Sequence, residues 1–418
     1  MVSSGVICEF NPFHNGHSYL LSRMREQVGE DGCVICLMSG RFVQRGEPAI
    51  ADPYVRAHMA LLSGADLVLE LPFPWSAGSA EFFALAGVRL LTALGVDMLT
   101  FGSETDDITL LEAAAQGAAD PDFSWVYSNL CNTGMGTAAA YAQALRDVCF
   151  HNLPEGFPSS NDLLGIAYLR AIKQVREETE YAPTPHSIKR NGASYREIRL
   201  TPGINPSATA LRIMMNETYR DTDDLKAFIE NDIPPAGLEV LLDAVRREKA
   251  PLDPSRLMSF YHTRYRIKPP TSLRSFAEGS VSLIAHIHRN AYSTATPEEF
   301  FEALRTKQYT DARLRRALLF GALEVKEEDL RAIPRYTTLL AANEKGCAYI
   351  KKWSKEPNQG KGKRIPLSVV TKPADAPIGR QKDLSRHADA LFTLCYPRPT
   401  DGGELMRRTP IIQTKNRK

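Results

Sequence analysis

Residues 5–28 read GVICEFNPFHNGHSYLLSRMREQV, and the way they are divided decides the fold. Gly5–Cys8 is a short apolar run of the kind a buried strand needs. Ser18–Val28 reads as a helix. Between them His14 and His17 flank Gly16, and the chain holds only nine histidines. The pair therefore sits at a strand-to-helix turn, a place where many α/β folds bind ligands.

The alternation continues outward from this turn. Apolar runs at Cys33–Met38, Asp66–Leu71 and Asp97–Phe101 read as further strands, separated by helical stretches at Pro53–Ser63 and Ala80–Leu94. Strands joined by helices of this length imply βαβ units and a parallel sheet with right-handed crossovers. Gly29, Gly32, Gly64 and Gly95 follow the helices, as C-terminal caps do. Beyond Gly102 helical periodicity dominates, at Ile108–Ala119, Ala138–Val148 and Leu163–Arg176, and a short strand at Pro185–Lys189 closes the sheet. Residues 221–344 read as mostly helical. The expected class is α/β: a parallel-sheet domain over 1–220, then a mostly helical region over 221–418 with a basic end.

Length and composition agree. At 418 residues the chain exceeds what one compact core usually holds, with 43% hydrophobic and 24% charged residues. Its start carries Glu9 and no basic cluster, unlike a signal peptide. No apolar run approaches the ~18 residues a membrane helix needs. Seven cysteines, several in apolar runs, fit reduced cytoplasmic thiols better than a disulfide framework. Cys33 and Cys36 have metal or redox spacing, but they lie inside a strand and read as core. The net charge of +2 hides an asymmetry: residues 351–418 carry 16 Lys and Arg against 6 Asp and Glu, a net +10, leaving −8 for the rest. That end suggests a polyanion partner, and Trp353, Phe392 and Tyr396 set it apart from a plain solvated tail, the other reading of such a charge run.

The opening turn suits phosphate chemistry. A helix N-terminus exposes unpaired N–H groups and partial positive charge, Gly16 permits close approach, and His14 and His17 each offer a ring N–H. The plainer alternative is one capping and one packed histidine. SGRFVQRGEPAI (39–50) follows the second strand and brings Arg41, Gln44, Arg45 and Glu47 to the same sheet edge. Gly102 in TFGSE leaves room for a base or ribose. Asn161 in SSNDLLGIAYL is either an N-cap or a ligand contact. Lys189 and Arg190 follow the short strand, and in SATALR Ser207 and Thr209 could cap a helix whose Arg212 reaches phosphate.

FNPFHNGH resembles the HxGH motif of the nucleotidyltransferase superfamily, and SATALR resembles its second phosphate-binding motif. Taken with GRFVQRGEPAI, GADLVLELP, FGSE, NDLLGIAYL and IKR…SYRE, in this order over roughly residues 5–215, the chain is similar to the tRNA(Met) cytidine acetate ligase family. The resemblance implies a Rossmann-like catalytic domain. It further implies an enzyme that makes acetyladenylate from ATP and acetate and then acetylates N4 of the wobble cytidine in elongator tRNA(Met). Carried over residue by residue, His14 and His17 are catalytic. The ATP site takes Ile7, Cys8, Glu9, Phe10, Asn11, Pro12, Phe13, Asn15, Gly16, Ser18, Tyr19, Leu20, Gly102, Asn161 and Arg190, with Ser207, Thr209 and Arg212 as phosphate contacts. The family pattern has proline before the asparagine where Ser160 stands here. Mg2+ is expected to accompany ATP, with no dedicated protein metal cluster. The basic loop with Lys361, Lys363 and Arg364 is the expected tRNA contact. No membrane or protein partner is expected, and the site of action is the cytoplasm. Two other functions compete: a small-molecule adenylyl- or cytidylyltransferase, and a non-enzymatic RNA-binding protein.

Overall fold

The computed structural model describes residues 1–148, 153–190, 208–268, 276–306 and 308–414. Five parallel strands form the expected frame: β1 (Ser3–Cys8), β2 (Cys33–Ser39), β3 (Leu67–Leu71), β4 (Met98–Ser103) and β5 (Thr184–Lys189). Their order is β5-β4-β1-β2-β3. The chain thus runs outward from β1 through β2 to β3, then returns to place β4 on the other side of β1. Where the order reverses, the loops after β1 and β4 part and leave a crevice at the strands' carboxyl ends. β2 is buried along all seven residues, which is why it reads as an uninterrupted apolar run.

The crossover helices are α1 (Asn15–Val28), α2 (Pro53–Leu62) and α3 (Ala80–Ala93). α1 buries Leu21, Met24 and Val28 at helical spacing, and Gly29 ends it in the left-handed region at φ 69°. Between β4 and β5 come α4 (Ile108–Gly117), α5 (Pro121–Asn132), α6 (Thr137–Val148) and α7 (Ser160–Thr179). Then α8 (Ala208–Thr218) opens a helical stretch: α9 (Thr222–Ile229), α10 (Pro235–Arg246), α11 (Ser255–Ile267), α12 (Val281–Ser293), α13 (Pro297–Leu304), α14 (Asp311–Ala322) and α15 (Glu327–Arg331).

The remainder does not stand apart. β6 (Tyr336–Asn343) pairs antiparallel with β3 and extends the sheet. Its outer edge is covered by β7 (Ser368–Val370) along Tyr336–Thr338 and by β8 (Ile411–Gln413) along Ala341–Asn343. The sheet therefore crosses the expected division at residue 220. α16 (Glu344–Lys355) packs across the amino ends of the strands, where Tyr349 donates to Leu94 O at 3.0 Å and Trp353 Nε1 to Ala93 O at 2.8 Å. Its approach is close enough that a Cβ on Gly346 would lie 2.1 Å from Asp66 O. α17 (Arg380–Thr393) contributes the buried Asp389.

Candidate active site

The crevice holds a cavity of about 390 Å³. His14 ends the turn after β1 as the N-cap of α1. Its Nδ1 accepts from Gly16 N at 3.1 Å, while His17 Nδ1 accepts from His14 N at 3.2 Å. The two rings stack at 3.8 Å between centroids. Since both Nδ1 atoms accept, the mobile proton of each neutral ring belongs on Nε2, the only ring nitrogen left to offer a ligand. Burial first, and the charge of Arg190 second, push His14 down to about 3. Burial, His14 and Arg190 likewise hold His17 well below its ordinary value. Both rings are neutral donors at physiological pH.

This arrangement corrects one expectation. The amide groups of the first turn are not unpaired: Asn15 N donates to Asp232 O at 2.8 Å, Gly16 N to His14, and His17 N and Ser18 N to His14 O. What this turn leaves to offer an anion is side-chain donors and the residual field of the helix.

Cationic groups converge on the same cavity. Arg190 and Lys189 reach it from the end of β5, and Arg212 from α8. Arg212 is fixed by Asn11 O at 2.8 Å and Thr209 Oγ1 at 3.1 Å, so the two phosphate motifs touch. The stem of Arg190 lies over Gly102, where a Cβ would sit 3.0 Å from Arg190 Cγ. Its Nε lies 3.4 Å from Glu104 Oε1, which also accepts from Asn161 Nδ2. Asn161 is not the helix cap: Ser159 caps α7 in a reciprocal pair with Asp162. Burial would raise the Asp162 carboxyl, but Ser103, Ser159 and Thr105 hold it below its usual value and tie β4 to α7.

Most of the residues expected at the ATP site line the cavity, from Ile7 to Asn11, His14, Gly16, His17, Tyr19, Leu20, Gly102, Asn161 and Arg190. Pro12, Phe13, Asn15 and Ser18 do not. Phe13 is fully buried behind the turn, and Asn15 donates to Asn231 O instead. Thr209 acts through Arg212, and Ser207 lies outside the described residues. Sequence reasoning assigned nothing to Glu104, although FGSE contains it, nor to the apolar wall of Phe83, Leu163, Leu164 and Tyr168.

The loop after β2 divides. Gln44, Arg45 and Glu47 line the cavity, and Arg315 of α14 braces Glu47 at 2.9 Å. Arg41 points the other way, into a buried ionic cluster with Glu70 and Asp389. There burial pushes Asp389 up to about 7 even beside Arg41. Lys361 is also placed elsewhere: its Nζ is held by Gly95 O and Asp97 at the amino ends of the strands. A six-residue strand spans about 20 Å, so Lys361 stands about one strand length from the cavity, held in an ion pair with Asp97. Lys363 pairs with Glu180 at 2.7 Å at the same end, and Arg364 beside it is exposed. A larger groove of about 770 Å³ lies along α3, α4 and α7. It has neither the histidines nor the carboxyl ends of the strands. Cys33 and Cys36 are buried, and among the described residues no group of three or more His, Cys, Asp or Glu could hold a metal. No helix among them is long and apolar enough to cross a membrane.

Comparison with known proteins follows this geometry. A family model for HIGH nucleotidyl transferases matches residues 1–401. A tRNA(Met) cytidine acetate ligase of Acetivibrio thermocellus is 33% identical over 408 residues, 94% of this chain and 95% of that one. One from Caldicellulosiruptor bescii is 34% identical over 355 residues, 84% of each. The crystal structure of Thermotoga maritima TmcAL bound with alpha-thio ATP superposes with a TM-score of 0.83 at 28% identity, covering 99% of this chain and 100% of that one. Its apo form gives a TM-score of 0.85.

Proposed function

The chain belongs to the HIGH nucleotidyl transferases and, within them, to the tRNA(Met) cytidine acetate ligases, and we propose that it activates acetate as acetyladenylate and acetylates N4 of the wobble cytidine in elongator tRNA(Met). The observation that carries this reading is the stacked, neutral His14–His17 pair facing a cationic cavity at the sheet's switch point. ATP lies along β4, β5 and α7, with its base or ribose over Gly102 and Asn161 and its phosphates toward Arg190, Lys189 and Arg212. Acetate oxygen attacks the α-phosphate, and pyrophosphate leaves. The Nε2–H groups of His14 and His17 donate to the phosphate oxygens on which charge gathers. A preorganised donor of this kind contributes about 10²–10³ in rate. The cytidine amine then attacks the acetyl carbonyl, and AMP departs.

The protein supplies position and field rather than a nucleophile. Mg2+ belongs with the triphosphate. Most carboxylate oxygens near the cavity are already engaged, Glu104 with Asn161 and Ser159, Glu47 with Arg315, and one oxygen of Glu9 with Gln44 N. The ion would therefore be carried chiefly by phosphate oxygens. Acting on tRNA, the protein works in the cytoplasm. Lys363 and Arg364 remain candidates for contact with distant parts of the tRNA.

Incubation with ATP, labelled acetate and elongator tRNA(Met) tests the whole reading. N4-acetylcytidine and AMP in equal amounts are expected. Nucleotide transfer to a metabolite, or tRNA binding without ATP turnover, would overturn it.

A further inference from the structure

The cavity has two sides. β4, β5 and α7 supply Gly102, Asn161, Lys189 and Arg190. The loop after β2 supplies Gln44 and Arg45 to the other side, next to Glu9. This second side contains an oddity. The cavity is otherwise suited to a polyanion, yet Glu9 sets a carboxylate in its wall. Oε1 of Glu9 accepts from Gln44 N at 2.8 Å, and Oε2 has no hydrogen-bond partner among the described residues. Burial raises the Glu9 carboxyl above its ordinary value, offset in part by Gln44 N–H and by Arg212, Arg45 and Arg56. An acceptor oxygen on such a wall repels phosphate and calls for a ligand that donates.

We propose that Glu9 and the loop at Gln44–Glu47 form the subsite for the acceptor base, a 4-aminopyrimidine whose N4 amino group donates to Glu9 Oε2. The proposal rests on the reading of the chain as a cytidine-acetylating ligase. A carboxylate is the side-chain type that accepts from cytosine N4, and uracil presents O4, a second acceptor, at the same place. A base in an anticodon loop is free to be turned out and read on this edge. In the transfer step N4 attacks the acetyl carbonyl carbon. The N–C bond forms, the C–O bond to the AMP phosphate breaks, and the pair of electrons leaves on AMP. The N4 proton passes to Glu9 Oε2 and from there to solvent.

Glu9→Gln is the test, because its amide oxygen still accepts from Gln44 N while the charge and the proton acceptor are gone. Two anticodon stem-loops differing only in C or U at the wobble position are titrated against wild type and variant by fluorescence anisotropy, with unfolding midpoints as a check on folding. Wild type should favour the C loop by roughly 5- to 100-fold, and the variant should fall toward parity. Single-turnover transfer from synthetic acetyladenylate to tRNA should be slower in the variant by about 10²-fold or more and lose its dependence on pH. A folded variant that keeps the wild-type preference for C, or transfers at the wild-type rate, overturns the assignment of Glu9. A wild type that acetylates no tRNA overturns the parent reading instead.

Discussion

His14 does two things at once, and one substitution separates them. It caps α1 through Nδ1 and offers Nε2–H to the cavity. Asparagine caps helices as well as any residue, whereas alanine forfeits the cap at a cost of about 1 kcal/mol. His14→Asn should therefore leave the unfolding midpoint near wild type, and His14→Ala should lower it, the more so because His14 is only 6% exposed and truncation opens a void. Neither variant places a donor where imidazole Nε2 stood. Both should lose about 10²–10³ in acetate-dependent pyrophosphate release, equivalent to about 2.7–4 kcal/mol of transition-state stabilisation. The assay is release of pyrophosphate with saturating acetate, alongside thermal denaturation. If His14→Asn is folded and turns over at the wild-type rate, the histidine pair is a helix cap and nothing more.

Arg190→Ala should raise the dissociation constant for ATP by roughly 10-fold or more, as loss of a charge-assisted contact does, while tRNA affinity holds; calorimetry with each ligand decides, and the reverse pattern would move Arg190 to the RNA surface. Because burial keeps His14 and His17 neutral, kcat/KM for ATP should show no imidazole titration between pH 6 and 8, and an inflection near 6.5 would contradict the neutral state of the pair. Lys361→Ala should destabilise the fold modestly, by roughly 0.5–1 kcal/mol for a partly exposed pair, and leave tRNA acetylation by the folded variant unchanged; a specific loss of acetylation would restore Lys361 to the RNA interface. Burial raises the Asp97 carboxyl, but Lys361 and Ser3 together hold it below its ordinary value. Its contribution to stability is therefore full above the unfolded-state value and lost as pH falls through the lower folded value. Acid titrations of wild type and Lys361→Ala should converge at low pH, and parallel curves would remove Asp97 as the partner.

What could be read from sequence follows physical rules. β1 to β4 are legible because strands buried on both faces become unbroken apolar runs set off by glycines. β6 is not, since TTLLAAN passes into EKGCAYI without glycine or proline between strand and helix, and the whole reads as one helical stretch. β7 and β8 have three residues each, too few to show a period. In the site, His14, His17, Gly102 and Arg190 are legible because short motifs follow strand ends. Arg41 and Arg45 show the limit: they share one loop, yet one meets Asp389, 348 residues away, and the other faces the cavity. Nothing local distinguishes them. The charge run at Lys361 shows the same limit, since it does not reveal that Asp97 holds one member. The four carboxyl groups of Glu9, Glu70, Glu104 and Asp162 each need a partner distant in sequence before their roles can be told apart.

The way β6 lies against β3 has a consequence for synthesis. A ribosome delivers the histidine turn within the first few dozen residues, but β3 remains a bare sheet edge until more than 260 further residues have emerged. Arg41 finds Glu70 early, but the cluster waits longer still for Asp389 to complete it. During that interval the growing chain exposes an apolar sheet edge, a condition that favours aggregation over docking. Chains released early, short of α17, should be held by chaperones or degraded rather than persist as half-active fragments. Such a chain is under pressure to be translated to completion, and pausing between residues 72 and 336 would be the hazard to avoid.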